Sequence, residues 1–226
     1  MIKLTDYEVV GFKHAIRGMR NPLNSWANSD SFIISEPLVE GFDYIGEKDL
    51  TLMKKLASAG TSHSKYRRMI TVYVDIKAPL YWWKEFDTYK VGTVANSCST
   101  MHKIHAKKFE VNDFSHEHLT KRALTKLLDQ IDELNFWRDI YNDGGLAEDK
   151  FGFEKVYKPK DKKAWYQMIQ LLPTSYNQKR TIMFNYEVLA NMYKDRKNHK
   201  LDEWQEDFCE WIEELPFSEI IIGEKL

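Results

Sequence analysis

From Met69 to Ile76 the chain alternates strictly: Ile70, Val72, Val74 and Ile76 are branched aliphatics, and Met69, Thr71, Tyr73 and Asp75 stand between them. Successive side chains on a strand point to opposite faces, so the stretch predicts a strand with one apolar face. Its flanks carry the other period. Leu50, Met53, Leu56 and Ala57 share one side of a helix predicted from Asp49, with Gly60 just past its end, and Pro79 opens a helix through Leu80, Trp82, Trp83 and Phe86. Any fold for this chain must bury an alternating strand and helical stripes together.

Outside this stretch, Ile2 to Val10 reads as a short strand, and the polar run from Gly18 to Ser35 reads as a long loop with turn signals at Asn21-Pro22 and Asn28-Ser29-Asp30. Leu119, Leu124, Leu127, Leu128, Ile131, Leu134 and Trp137 repeat at helical spacing behind Ser115, a candidate N-cap, with Glu117 in the first turn; this is the longest predicted helix. Asp143-Gly144-Gly145 stops it. The charged run from Lys155 to Lys163 predicts a surface connection into a helix ending near Pro173. Two further helices are expected, one from Ser175 to Arg196 and a last one holding Trp204, Phe208, Trp211 and Ile212 on one side.

The 226 residues suffice for a sizeable core and predict one domain, 1–226. Lys and Arg number 33 against 34 Asp and Glu, so no broad electrostatic grip on nucleic acid or an acidic membrane is expected, and any phosphate site must be local. No window approaches the roughly 20 apolar residues of a membrane span. The start, Met-Ile-Lys-Leu-Thr-Asp, has no long apolar run or cleavage pattern, and Cys98 and Cys209 are the only cysteines, which fits a reducing cytoplasm.

The chemistry-bearing stretch is Glu85 to His102, Glu-Phe-Asp-Thr-Tyr-Lys-Val-Gly-Thr-Val-Ala-Asn-Ser-Cys-Ser-Thr-Met-His. Ser97, Ser99 and Thr100 place hydroxyls on one tight loop, and Lys90 and Arg196 supply charge, the groups a phosphate takes alongside backbone N–H. By itself a serine-rich turn reads as a solvated loop. Cys98, His102 and His105 form a Cys-x3-His-x2-His pattern, but a structural zinc site wants four ligands and His116 and His118 stand at no familiar interval, so no metal is expected. Tyr81, Trp82 and Trp83 offer either a stacking surface or core, with Tyr81 and Tyr89 kept as stacking candidates. Phosphate-loop, dinucleotide-fingerprint and nucleophile-elbow motifs are absent from the sequence.

The same stretch resembles a segment of the flavin-dependent thymidylate synthases, Arg-His-Arg-x-x-Ser-x-x-x-x-Ser-x-Arg-Tyr. Thr88-Tyr89-Lys90 stands at the triplet, Thr93 at the first serine, Ser99 at the second after one extra residue, and Met101-His102 at the closing pair. Gly60-Thr-Ser-His63-Ser64-Lys-Tyr-Arg67-Arg68 is similar to the family's Gly-His-x-Ser-x-x-Glu-His, with Arg67-Arg68 in place of Glu-His. Leu172-Pro173, Asn185-Tyr186-Glu187-Val188-Leu189, Arg196 and Glu203-Trp204-Gln205 follow in the family's order, with Glu187 where the family has an arginine.

The resemblance implies an α+β fold with a central sheet and long flanking helices, in a homotetramer whose sites lie between subunits. It implies a catalytic role for Ser99, nucleotide binding by Lys90, Ser97, Ser99, Thr100 and Arg196, and cofactor binding by His63, Ser64, Arg67, Arg68, Tyr89 and Asn185. In the family FAD serves the reductive methylation of dUMP to dTMP, with methylenetetrahydrofolate as carbon donor and NADPH as reductant. The missing cations point to weak or absent FAD binding and synthesis. Two readings therefore stand: a divergent flavin enzyme of nucleotide metabolism in which Lys90, Arg67, Arg68 and Arg196 replace the lost charges, or a noncatalytic or respecialised relative that keeps a nucleotide pocket.

Overall fold

The computed structural model describes residues 1–32 and 44–223. The chain begins with β1 (Lys3–Val10), α1 (Phe12–Arg20) and two 3-10 turns, and resumes at α2 (Glu47–Ser58). The predicted loop from Gly18 thus starts inside α1, and its last residues, 33–35, lie outside the described residues. α2 ends as expected: Ala59 is the C-cap and Gly60 takes the left-handed conformation at φ 99°. A 3-10 turn (Ser64–Met69) leads into β2 (Thr71–Pro79), where Val72, Val74 and Ile76 are buried as the alternation requires. α3 (Leu80–Phe86) follows directly.

The stretch read as one loop holds two elements, β3 (Val94–Ser97) and α4 (Thr100–Lys103). After it, α5 (Lys121–Asp143) is the longest helix among the described residues, but its N-cap is Thr120, whose hydroxyl accepts from Ala123 N–H. Ser115 cannot start it. Its backbone N–H donates to Ser175 O at 2.8 Å, Phe114 and Tyr176 form a bridge, and its hydroxyl donates to Glu117 at 2.9 Å, which together hold the chain extended.

Gly144 ends α5 at φ 80°, and the chain turns into a hairpin that the sequence reading missed, β4 (Gly145–Glu148) antiparallel to β5 (Glu154–Tyr157). Lys155, read as the start of a surface connection, lies in β5. α6 (Lys162–Leu171) follows. The helix expected from Ser175 to Arg196 is half strand: β6 (Asn177–Asn185) precedes α7 (Tyr186–Arg196). Ile182 and Phe184 are fully buried at strand spacing, and the Asn185 side chain accepts from Val188 N–H at 3.1 Å, so the helix begins only at Tyr186. The last predicted helix is a π-helical turn (Glu203–Phe208) running into α8 (Cys209–Glu214), with α9 (Glu219–Ile222) after it.

The described chain falls into two compact units and passes between them within β2, β3 and β6. The described residues within 2–76, 87–96 and 180–223 form the larger unit. Its core is the Val72, Val74, Ile76 face of β2, Ile182 and Phe184 of β6, Leu189 and Met192 of α7, and the expected Trp204, Phe208, Trp211 and Ile212. Each such side chain contributes about 1.5–3 kcal/mol when removed from water. The strand order is β1-β2-β6-β3, and on the exposed side Thr181 donates to Asp75 at 2.6 Å.

The second unit packs α5 and α6 around Phe109, Phe114, Ile131, Leu134, Trp137 and Met168, with Tyr157 of the hairpin joining them. Buried Asn135 sits on the apolar side of α5 because its amide both accepts from Phe109 N–H and donates to Phe109 O, at 2.9 and 3.0 Å. Trp82 and Trp83 are fully buried, the first stacked on Phe86 and the second edge-on to it, which makes them core; the Tyr81 hydroxyl donates to Ser115 Oγ at 3.1 Å.

Candidate functional site

In the larger unit the residues singled out from the sequence gather around α7. At its first turn, Glu187 is buried and receives Ser64 Oγ–H at 3.1 Å and Arg67 Nη1 at 3.6 Å on the same oxygen, Oε2. Arg67 and Glu187 are the two positions at which the chain reverses the family's charge, and they face one another. The two reversals preserve one cation and one anion in contact, which is why neither strands an unpaired charge in the core. Ser64 and Arg67, expected at a cofactor, are therefore engaged by this helix, with Arg67 Nε buried and unbonded among the described residues. His63 and Arg68, on the same turn, are exposed. Asn185, the third residue expected at a cofactor on this face, caps α7.

At the last turn of α7, Arg196 Nε donates to Tyr89 Oη at 2.9 Å, and the guanidinium carbon lies 5.3 Å from the Tyr89 ring centre and 5.0 Å from that of Trp204. The Tyr89 hydroxyl in turn donates to Asp195 Oδ2 at 3.3 Å. Burial, assisted by Asp195 and opposed by the arginine, holds the phenol above its ordinary pKa, so it stays a neutral donor and acceptor. Gly92 closes the loop at φ 78°, where an added Cβ would lie 2.9 Å from Val188 and 3.2 Å from Asn185 Nδ2; the loop carrying Tyr89 and exposed Lys90 thus rests on the start of α7.

Ser97, Ser99 and Thr100 belong to the second unit. Ser97 ends β3, and Ser99 caps α4 by accepting from His102 N–H at 3.0 Å. That bond uses an acceptor lone pair, and the Ser99 O–H is engaged with no other described residue. Cys98 N–H donates to Lys179 O and Cys98 O accepts from Gln178 Nε2, both at 2.9 Å, which anchors the hydroxyl-bearing segment to β6. Cys98 is exposed and precedes the helix that contains His102. No cluster of His, Cys, Asp and Glu suited to a metal occurs among the described residues. The other thiol, Cys209, is buried and pushed up to about 12, chiefly by that burial, which leaves it unreactive.

The sequence had no signal for Asp195 or for the pairing of Tyr89 with Arg196; 107 positions separate those two, and only the packing of the loop on α7 joins them. Trp204 was legible as core, and its second role as a cation's platform was not.

No protein-family model and no curated protein matches the sequence. Solved structures do match over nearly the whole chain. A structure of thymidylate synthase X (ThyX) from Helicobacter pylori with FAD and dUMP superposes with a TM-score of 0.63 at 16% identity, covering 99% of this chain and 98% of the other. A second, of the flavin-dependent thymidylate synthase ThyX from Helicobacter pylori complexed with FAD and dUMP, gives 0.62 at 17% identity, with 99% and 97% covered. The mixed helix and sheet fold expected from the motifs is thus the fold of these enzymes, and the chain resembles them in fold. Among the described residues no helix is long and apolar enough to cross a membrane.

Proposed function

We propose that the protein binds a deoxynucleoside monophosphate of the dUMP kind, with Arg196 as the principal cation for its phosphate and Lys90 as a further contact. The observation that carries this reading is the seating of the Arg196 guanidinium between Tyr89 and Trp204, because it ties the helix and the loop that hold the motifs. A planar guanidinium meets two phosphate oxygens at once, so a fixed plane favours that ligand over a diffuse anion. Solved relatives of the same fold carry dUMP, which supports the choice of nucleotide.

The flavin set fits FAD poorly. Arg67 and Ser64 are spent on Glu187 and Asn185 on its helix, which leaves exposed His63 and Arg68 with Tyr89 to meet the cofactor. When bound, FAD would supply hydride chemistry for dUMP methylation with NADPH and methylenetetrahydrofolate as co-substrates. This favours a respecialised nucleotide-binding relative over a working synthase; the cytoplasm and a homotetramer with sites shared between subunits are what the family resemblance implies.

Calorimetric titration of the purified protein with dUMP, dTMP and FAD tests the reading: dUMP or dTMP binds, and FAD binds weakly or not at all. Absence of binding by both nucleotides overturns it. Formation of dTMP from dUMP, methylenetetrahydrofolate, FAD and NADPH would instead establish the enzyme and would make Ser99→Ala and Lys90→Ala the next variants. Light scattering checks assembly, since a monomer at micromolar concentration removes the shared-site arrangement.

A further inference from the structure

The predicted loop from Gly18, to which no motif gave a task, contributes described residues to the wall of a cavity of about 310 Å³ beside α1. Lys13, Ile16 and Arg17 line it from the helix, and Trp26, Phe32 and Tyr44 from the chain beyond. Aromatic side chains that serve a core are sealed in it, whereas these three are each about half exposed. Their positions are nevertheless fixed. Trp26 Nε1 donates to Asn21 Oδ1 at 2.8 Å, and Phe32 and Tyr44 exchange two backbone hydrogen bonds at 3.0 Å with their rings stacked 4.7 Å apart. The same wall carries buried Arg20, which donates to Asp49 at 2.6 Å and to the carbonyls of Ser25 and Asn28 at 3.3 and 3.2 Å, while the Ser29 and Ser31 hydroxyls donate to the same carboxylate.

The charge on this lining is one-sided. Arg20 is answered by Asp49, but Lys13 and Arg17, one helical turn apart on α1, have no ion-pair or hydrogen-bond partner among the described residues, and no acidic side chain among them lines the cavity. Three aromatic rings alone would suit a cationic ligand, whereas two uncompensated cations in the same lining repel a cation and attract an anion. A mostly apolar cavity with a few convergent polar groups is the usual form of a small-molecule site. The volume is about twice the roughly 150 Å³ that accepts a benzene ring. We propose that the cavity binds a small planar aromatic acid, its ring system among Trp26, Phe32 and Tyr44 and its carboxylate or phosphate on Arg17 and Lys13. The site shares no residue with the Arg196 cluster and does not rest on the nucleotide reading.

The test uses the full chain and three probes of one ring system, naphthoate, naphthyl phosphate and neutral naphthol, followed by calorimetry and by NMR shift changes at millimolar concentration. The acids are expected to bind and to be weakened about fivefold by Arg17→Ala or Lys13→Ala, both at exposed helix positions, while naphthol changes by less than about twofold. Trp26→Ala should weaken every probe that binds, by about tenfold. Binding of naphthoate alone, or of naphthyl phosphate alone, supports the site and identifies its acid as a carboxylate or a phosphate. The inference is overturned if neither acid binds the parent, if both cation variants leave the acids unaffected, or if they weaken naphthol as much as the acids. In a parent that binds dUMP, Arg17→Ala should leave dUMP affinity unchanged; a parallel loss would make the two sites one and overturn their separation.

Discussion

At the N-terminal end of α7, Glu187 is buried and meets Arg67 and Ser64; at the C-terminal end, Arg196 is half-buried and lies against Tyr89 and Trp204. Both charges suit the helix, an acid in the first turn and a base in the last. They differ in what answers them. The first has an opposite charge and a hydroxyl in the dry interior, so it is complete within the protein. The second lies against two aromatic rings and donates to a phenol at the edge of solvent. The two ends are therefore built differently: Arg67 and Glu187 form an internal ion pair, and Tyr89 and Trp204 lie against a partly exposed arginine.

The comparison breaks most sharply at Arg67. Arg67→Ala leaves Glu187 buried without its cation and should cost about 3–5 kcal/mol, read as a lower urea midpoint. The reciprocal exchange, Arg67→Glu with Glu187→Arg, should recover at least half of that loss. If the single and the exchanged variants are equally unstable, the two charges do not answer one another.

Titration at high pH probes the same buried end. Tyr66, on the turn that carries Ser64 and Arg67, donates to Met53 O at 2.7 Å, and its phenol is pushed up to about 12, mainly by burial. An unfolded tyrosine ionises near 10 and the folded one does not. Stability from this group is thus fully present below pH 10 and is lost as pH rises toward 12, by on the order of 2–3 kcal/mol. Tyr66→Phe should flatten that part of the stability profile, and an unaltered slope would remove Tyr66 as its source.

A smaller effect is expected at the open end from Gly92→Ala, which forces a side chain into a φ of 78° and against Val188. A destabilisation of about 1–2 kcal/mol should appear in thermal melts, with weaker dUMP binding because the Tyr89 loop must shift. The smallest change in stability should come from Arg196→Ala, within about 1 kcal/mol, since the arginine is not sealed in the core. Its dUMP affinity should nevertheless fall about 10- to 100-fold by calorimetry, a loss typical of one charge-assisted contact. A large stability loss with little change in affinity would make Arg196 another structural charge and erase the contrast between the two ends.

The legibility of the chain followed the range of the interactions involved. Strand β2 was readable because one face alternates within a few residues, and the apolar stripes of α2, α5 and the Trp204 to Ile212 region were readable at helical spacing. β6 was not, since Asn177 to Asn185 runs without a turn signal into a true helix, and only its pairing in the sheet holds it extended. The N-cap of α5 moved from Ser115 to Thr120 for a similar reason: a bridge to residues far along the chain outweighs a local capping preference worth about 1 kcal/mol.

The order of the motifs from Gly60 to Gln205, carried by sequence alone, was enough to indicate the fold that solved structures share. The sequence also supplied a cation at Arg67 and an anion at Glu187. Only the tertiary structure decided that these two charges meet, because residue types report charge while contact across 120 positions depends on how the turn before β2 packs on α7. The same holds for Tyr89, whose hydroxyl gains a task only where the folded chain brings an arginine within hydrogen-bond reach.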